Sequence, residues 1–236
     1  MDAIRKYKRW ETKNELEVIR ILSGRSKVFL VSNGKTSLLV DTSAPRLWNK
    51  LESELDNLGL TVDLLILTHP HFDHAGNAHR VKEKYRPLVI AHKEETLKLA
   101  SGTGGIPAGT NFITRSLVNL VSRRKSELGT FASCPVDVVV QSKLDLVPYG
   151  LKAYCIHTPG HTAGSMSVIV DNEIALVGDA MFGIFPGSVF PPFADDVPAL
   201  IKSWGILLDT GCSLFLPAHG SACSKELLLR RYNRRM

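Results

Sequence analysis

Three of the chain's eight histidines and an aspartate fall within six consecutive positions of the segment Thr68-His69-Pro70-His71-Phe72-Asp73-His74. The segment follows directly on Val62 to Leu67, an apolar run that reads as a buried strand. On an extended backbone, residues i and i+2 point to the same side. His69 and His71 can therefore approach one metal ion together, Asp73 continues the alternation, and His74 at the following turn can swing to a second ion. Imidazoles and a carboxylate suit zinc, and a mixed nitrogen and oxygen site with an open position is catalytic rather than structural in kind.

Three more segments repeat the pattern of a strand that ends in a ligand. Ala153 to Ile156 leads to Thr158-Pro159-Gly160-His161, where Pro and Gly favour a tight turn. Ala175 to Gly178 leads to Asp179, and Leu214 to Leu216 leads to Pro217-Ala218-His219-Gly220. Site residues gather at the carboxyl ends of strands in α/β folds, so the three cases reinforce one another and the cluster at 69–74.

The rest of the chain reads as strands alternating with helices. Val28 to Val31 and Ser37 to Val40 flank Asn33-Gly34, a hairpin signal. Thr42-Ser43 ahead of Pro45 predicts a capped helix with Leu47, Leu51, Leu55 and Leu58 on one face and Gly59 as its stop. Phe112, Ile113, Leu117, Leu120 and Val121 predict an amphipathic helix ending in Arg123-Arg124-Lys125. Strands are predicted at 88–91, 137–141, 151–156, 166–170 and 174–177. A helix carrying Leu200, Ile201, Trp204, Leu207 and Leu208 takes Asp195 or Asp196 as its cap, and a short basic helix follows the last strand. The pattern implies an α/β fold of two packed sheets covered by helices, four layers in all. At 236 residues one domain over 1–236 is expected, with a cap insertion at about 93–135 that contains Gly102, Gly104 and Gly105.

The motif set H-x-H-x-D-H, T-P-G-H-T-x-G-S, G-D and P-x-H-G resembles the metallo-β-lactamase superfamily, from about Ser26 to Gly220. The resemblance implies an αββα sandwich with a dinuclear metal site on one edge. It assigns His69, His71 and His161 to one ion, Asp73, His74 and His219 to the other, and Asp179 to both. The best-known β-lactamase branch has Cys at the bridging position. Asp179 is instead as in the hydroxyacylglutathione hydrolase, lactonase and related thioesterase branches. The implied cofactors are two divalent ions, zinc first, with iron or manganese as alternatives. The implied reaction is hydrolysis of a small ester-like substrate, thioester or lactone in type, by a metal-bridging hydroxide, with Asp73 also accepting or relaying a proton. Two other readings share the ligand set: a phosphodiesterase or ribonuclease, and a non-hydrolytic iron enzyme like the persulfide dioxygenases.

Departures from those branches narrow the expectation. Seventeen residues follow His219, which leaves little for a glutathione-binding helical region, and Phe182 stands where lactonases place Tyr. Phe182, Phe185, Phe190 and Phe193, interleaved with Pro186, Pro191 and Pro192, predict an apolar lip, or a group of rings packed beneath the loop. The small-molecule substrate is thus expected to carry an apolar group. The net charge of +6 sits largely at the ends, in Arg5, Lys6, Lys8 and Arg9 and in Arg230, Arg231, Arg234 and Arg235. No aromatic stripe leads from them to the site, so nucleic acid is not the expected partner. His79, His92 and His157 are expected to be structural or to support ligands. The four cysteines form no C-x-x-C pair, no apolar run is long enough to span a bilayer, and the first residues lack the apolar stretch of a signal peptide. A cytoplasmic protein is expected.

Overall fold

β-branched and leucine-rich runs too apolar to face water on either side form the middle strands of two sheets. In this computed structural model residues 7–24, 26–124 and 129–236 are described, except for the side chains at 117, 119 and 121–124. Arg5, Lys6 and Lys125, with the side chains of Leu117, Val121, Arg123 and Arg124, lie outside the described residues. The first sheet comprises β1 (Lys8–Glu11), β2 (Glu17–Leu22), β3 (Val28–Ser32), β4 (Ser37–Val40), β5 (Leu64–Ile66), β6 (Leu88–His92) and β7 (Val138–Val140), in that spatial order. β1 to β4 are antiparallel, and β4 to β7 are parallel. The second sheet runs β13 (Cys223–Ser224), β12 (Leu214–Gly220), β11 (Ile174–Gly183), β10 (Met166–Val170), β9 (Ala153–His157) and β8 (Lys143–Asp145).

Helices connect and cover the strands. They are α1 (Trp48–Leu58), α2 (Phe72–Ala75), α3 (Ala78–Tyr85), α4 (Thr96–Ser101), α5 (Phe112–Arg124), α6 (Val197–Asp209) and α7 (Lys225–Asn233). Strand alternation sorts the apolar residues into three layers of core. Val18, Phe29, Val31, Leu38, Val40, Leu64 and Ile66 meet Val168, Val170, Leu176 and Leu216 between the sheets. Ile19, Leu30, Leu39 and Leu65 turn outward onto Leu51 and Leu55 of α1 and Val81 of α3. Ile169, Ala175 and Phe215 turn outward onto Leu200, Trp204 and Leu207 of α6 and Leu228 of α7. The result is the expected αββα layering.

Local structure departs from the sequence expectation in three places. Thr42 and Ser43 do not cap a helix: the first turn, Pro45–Leu47, is 3₁₀ and takes no side-chain cap. The Thr42 hydroxyl donates instead to the His74 carbonyl at 2.8 Å and accepts from Asn77 N at 3.1 Å, so tertiary contacts claim it. The alternation through Asp73 stops early, because His71 is the N-cap of α2 and Asp73 and His74 are helical. α5 forms as predicted, but Phe112 and Ile113 at its start are exposed rather than packed. Asp196 settles the cap of α6, its carboxylate accepting from Ala199 N at 2.9 Å.

Candidate metal centre

Every parallel strand next to the site ends at the same edge of the sandwich, and the motif residues follow from that. β5 delivers the segment carrying His69 and His71, and the first turn of α2 carries Asp73 and His74. The turn between β9 and β10 carries His161, Asp179 lies in β11, and His219 lies in β12 beside it. Gly160 makes its turn possible at φ +129°, where a Cβ would meet Leu200 N at 2.3 Å. Gly220 closes the other side at φ +83°, where a Cβ would meet the Gly183 backbone. Met166 N donates to Thr68 O at 2.9 Å and Lys27 N to Ala218 O at 3.0 Å, tying the two sheets together at this edge.

All seven residues singled out from the sequence come together here. Three sets of side chains bring a ligand atom each to within 4.8 Å of one another: His69, His71 and His161; Asp73, His74 and His219; and His69, His74 and Asp179. Asp179 divides its two oxygens between the first two sets. Its Oδ2 lies 3.9 Å from His69 Nε2 and 3.4 Å from His161 Nε2. Its Oδ1 lies 3.4 Å from His74 Nε2 and 3.3 Å from His219 Nε2. His161 Nε2 is 3.0 Å from His71 Nδ1, and His219 Nε2 is 3.7 Å from Asp73 Oδ2.

The donor set fits divalent cations. His69 Nε2, His74 Nε2 and Asp179 Oδ1 are buried with no hydrogen-bond partner, and they face one shared space. A buried polar atom left unpaired costs free energy, and a cation held by nitrogen and oxygen donors removes that cost. The electrostatics agree. Burial, with the neighbouring imidazoles, holds His69 and His71 well below the ordinary histidine range, and burial lowers His161 as well. Neutral imidazoles are the form that binds metal. Burial also opposes a charge on His74, but Asp179 and Asp41 outweigh it and raise His74 well above that range. Asp179 is held well below the usual carboxylate range, His219, His74 and His161 overcoming its burial. This carboxylate is ionised and calls for positive charge.

A family model described as the metallo-beta-lactamase superfamily matches residues 23–219. The chain belongs to that superfamily. A probable metallo-hydrolase of Methanocaldococcus jannaschii is 30% identical over 165 residues, covering 69% of this chain and 70% of its own. A hydroxyacylglutathione hydrolase of Brucella ovis is 25% identical over 162 residues, 68% of this chain, which spans about half (49%) of that protein. In fold the chain is similar to a superfamily protein of Sulfolobus tokodaii, with a TM-score of 0.61 and 20% identity over 89% of this chain and 80% of the other. The superfamily is one of metal-dependent hydrolases, and this chain shares that enzyme class.

In this superfamily member a single carboxylate that the sequence reading passed over organises two of the histidines. Asp41, directly after β4, accepts from His74 Nδ1 at 2.8 Å and from the Thr68 hydroxyl at 2.8 Å. Thr68 Oγ1 in turn lies 3.0 Å from His69 Nδ1. Both imidazoles are thereby fixed with Nε2 turned to the shared space, the support ligand histidines commonly have. Asp41 sits at φ +62°, a strained conformation for a non-glycine residue. Its signal was present: an acidic residue at a strand end, the same pattern that marked Asp179. His161 Nδ1 finds the Phe193 carbonyl at 3.0 Å. The other histidines lie apart from the cluster. His79 pairs with Ser133 O and Glu83, while His92 and His157 stack with ring centroids 3.9 Å apart. His157 Nε2 and Glu95 hold the turn that carries His161, through Ala163 O at 2.7 Å and Gly164 N at 2.7 Å.

The cluster floors a cavity of about 390 Å³ with apolar walls. Gly105, Ile106, Pro107 and Val118 line it together with Phe182, Ile184, Pro192 and Phe193. Three of the four phenylalanines at 182–193 divide between the two expected roles, and Phe185 takes neither. Phe182 stacks on His219 at 4.6 Å and Phe193 lines the cavity, Phe190 packs edge-on against Trp204 at 6.1 Å, and Phe185 is exposed. Among the described residues no helix is long and apolar enough to cross a membrane.

Proposed function

We propose that this chain is a dinuclear metal-dependent hydrolase of small ester-like substrates, thioester or lactone in type, carrying an apolar acyl group. One observation carries the reading: an apolar cavity of about 390 Å³ opens directly onto a cluster in which Asp179 offers one oxygen to each of two ligand sets. His69, His71 and His161 would hold one ion and Asp73, His74 and His219 the other, with Asp179 shared, zinc being the first choice for these donors. When bound, such ions lower the pKa of water and polarise a carbonyl oxygen.

The chain's own residues supply position and proton handling. The walls formed by Ile106, Pro107, Phe182 and Phe193 exclude water and seat an acyl chain over the cluster. Asp73 is the carboxylate that lines this cavity beside Asp179, and its Oδ2 lies against His219, so it accepts or relays a proton at the reacting end of the substrate. Gly105 to Pro107 and Val118 of α5 line the cavity, which supports reading about 93–135 as a cap over the site. A hydrolysis panel on protein of measured metal content tests the reading, with thioesters, lactones, β-lactams and phosphodiesters as substrates. Turnover of a thioester or lactone with two zinc ions per chain is expected. Turnover of phosphodiesters alone, or iron at the site with no hydrolysis, overturns it.

A further inference from the structure

Three cations converge on the inner face of the first sheet, at the edge that bears the metal centre. Lys8 on β1 and Arg20 on β2 are direct cross-strand partners, and Arg20 faces Phe29 on β3. Alternation puts Lys8 on the same face as Trp10, and Arg20 on the same face as Val18, whose side chains belong to the core between the sheets. A core-facing row therefore ends in two like charges directly opposite each other, an arrangement that destabilises an antiparallel pair. The acids of these strands give no relief. Glu11 and Glu17 lie on the opposite face, where Glu17 pairs with Arg9 at 2.5 Å.

Lys27, just before β3, completes the group. Its Nζ donates to Pro217 O at 3.0 Å and to Gly220 O, leaving one of its three hydrogens uncommitted. Burial and Arg20, with Lys8 adding to them, bring its pKa down to about 8. Among the described residues no carboxylate pairs with Lys8, Arg20 or Lys27 in an ion pair. The three side chains instead line a cavity of about 120 Å³ together with Gly220, Ser221 and Ala222. Lys8 is exposed, with Nζ 5.2 Å from the Trp10 ring centroid, and Arg20 and Lys27 are half-buried. A bound anion would neutralise the repulsion that remains among them and accept charge-assisted hydrogen bonds from all three.

We propose that this cavity is an oxyanion site for a sulfate, phosphate or carboxylate group, carried by a free ion or by the end of a larger molecule. The site is separate from the hydrolytic reading above and stands whether or not that reading holds. The test is a calorimetric titration of sulfate into the metal-loaded full chain at low ionic strength. Saturable one-to-one binding is expected, weakened about tenfold or more in Arg20→Gln and in Lys8→Gln by loss of one charge-assisted hydrogen bond. In anion-free buffer Arg20→Gln is expected to melt no lower than the parent, because its removal relieves repulsion. Lys8→Gln, on the exposed edge strand, keeps the test open if Arg20→Gln does not fold. Phenyl phosphate binding as tightly as inorganic phosphate identifies the end of a larger molecule as the occupant, and binding of the inorganic ions alone identifies a free ion. No saturable binding overturns the proposal, and so does binding unchanged in both variants, which places the ion on the metals.

Discussion

Asp41 does more for the site than its absence from the ligand sets suggests, since one buried carboxylate orients His74 directly and His69 through Thr68. Asp41→Ala is expected to weaken metal affinity about 10- to 100-fold, read by competition with a chromophoric chelator. Thr68 and His74 remain buried in that variant and lose their shared acceptor. Asp73 is expected to behave differently, because it faces the cavity. Asp73→Asn should lower kcat by about 100-fold or more in protein shown to be metal-loaded. Full activity in that loaded variant would remove Asp73 from proton transfer. The ligands were legible because each stands beside an unmistakable strand in the sequence. Asp41 carries the same mark at the end of β4, but its partners lie 27 and 33 residues further on, and such pairing is visible only in the fold.

At the scale of elements, the turn between β9 and β10 is the part of the site least able to change. Gly160 has no room for a Cβ against Leu200 of α6 and adopts a φ that disfavours any side chain. Gly160→Ala is expected to cost about 2–4 kcal/mol in a urea denaturation curve, from strain and overpacking together. Activity should fall with it, since the same turn presents His161. Sequence periodicity found β3 to β7 and β9 to β12 because they read as near-continuous apolar runs, β3, β4, β10 and most of β11 being buried on both faces. It passed over β1 and β2, where Lys8, Arg9, Glu11, Glu17 and Arg20 break the apolar pattern, and β8 and β13, which are too short to carry a period. It misassigned Thr42 and Ser43 because a hydroxyl before a helix looks the same whether it caps that helix or bonds to a distant carbonyl.

The whole molecule responds to pH through its buried imidazoles. His69, His71 and His161 bind protons less readily in the fold than in the unfolded chain. As pH falls through about 6.5, the unfolded state takes up protons that the native state refuses, so their contribution to stability is lost on acidification. His74 works in the other direction: its contribution is full below that pH and fades as pH rises through its raised value. Three groups oppose one, and the melting temperature of chelator-treated protein is expected to fall between pH 7.5 and 5.5. A rise over that range would assign control to His74 and its two carboxylates. Adding zinc at neutral pH is expected to raise the melting temperature, by about 2.7 kcal/mol of stability at 100 times the Kd. The division of ligands between the sheets also has a consequence for synthesis. The ribosome releases His69, His71 and His74 first, and His219 follows His74 by 145 residues. At common elongation rates that interval is on the order of ten seconds. A growing chain thus displays a histidine cluster without its closing partners, and secure capture of the proposed ions waits for the second sheet to emerge and dock.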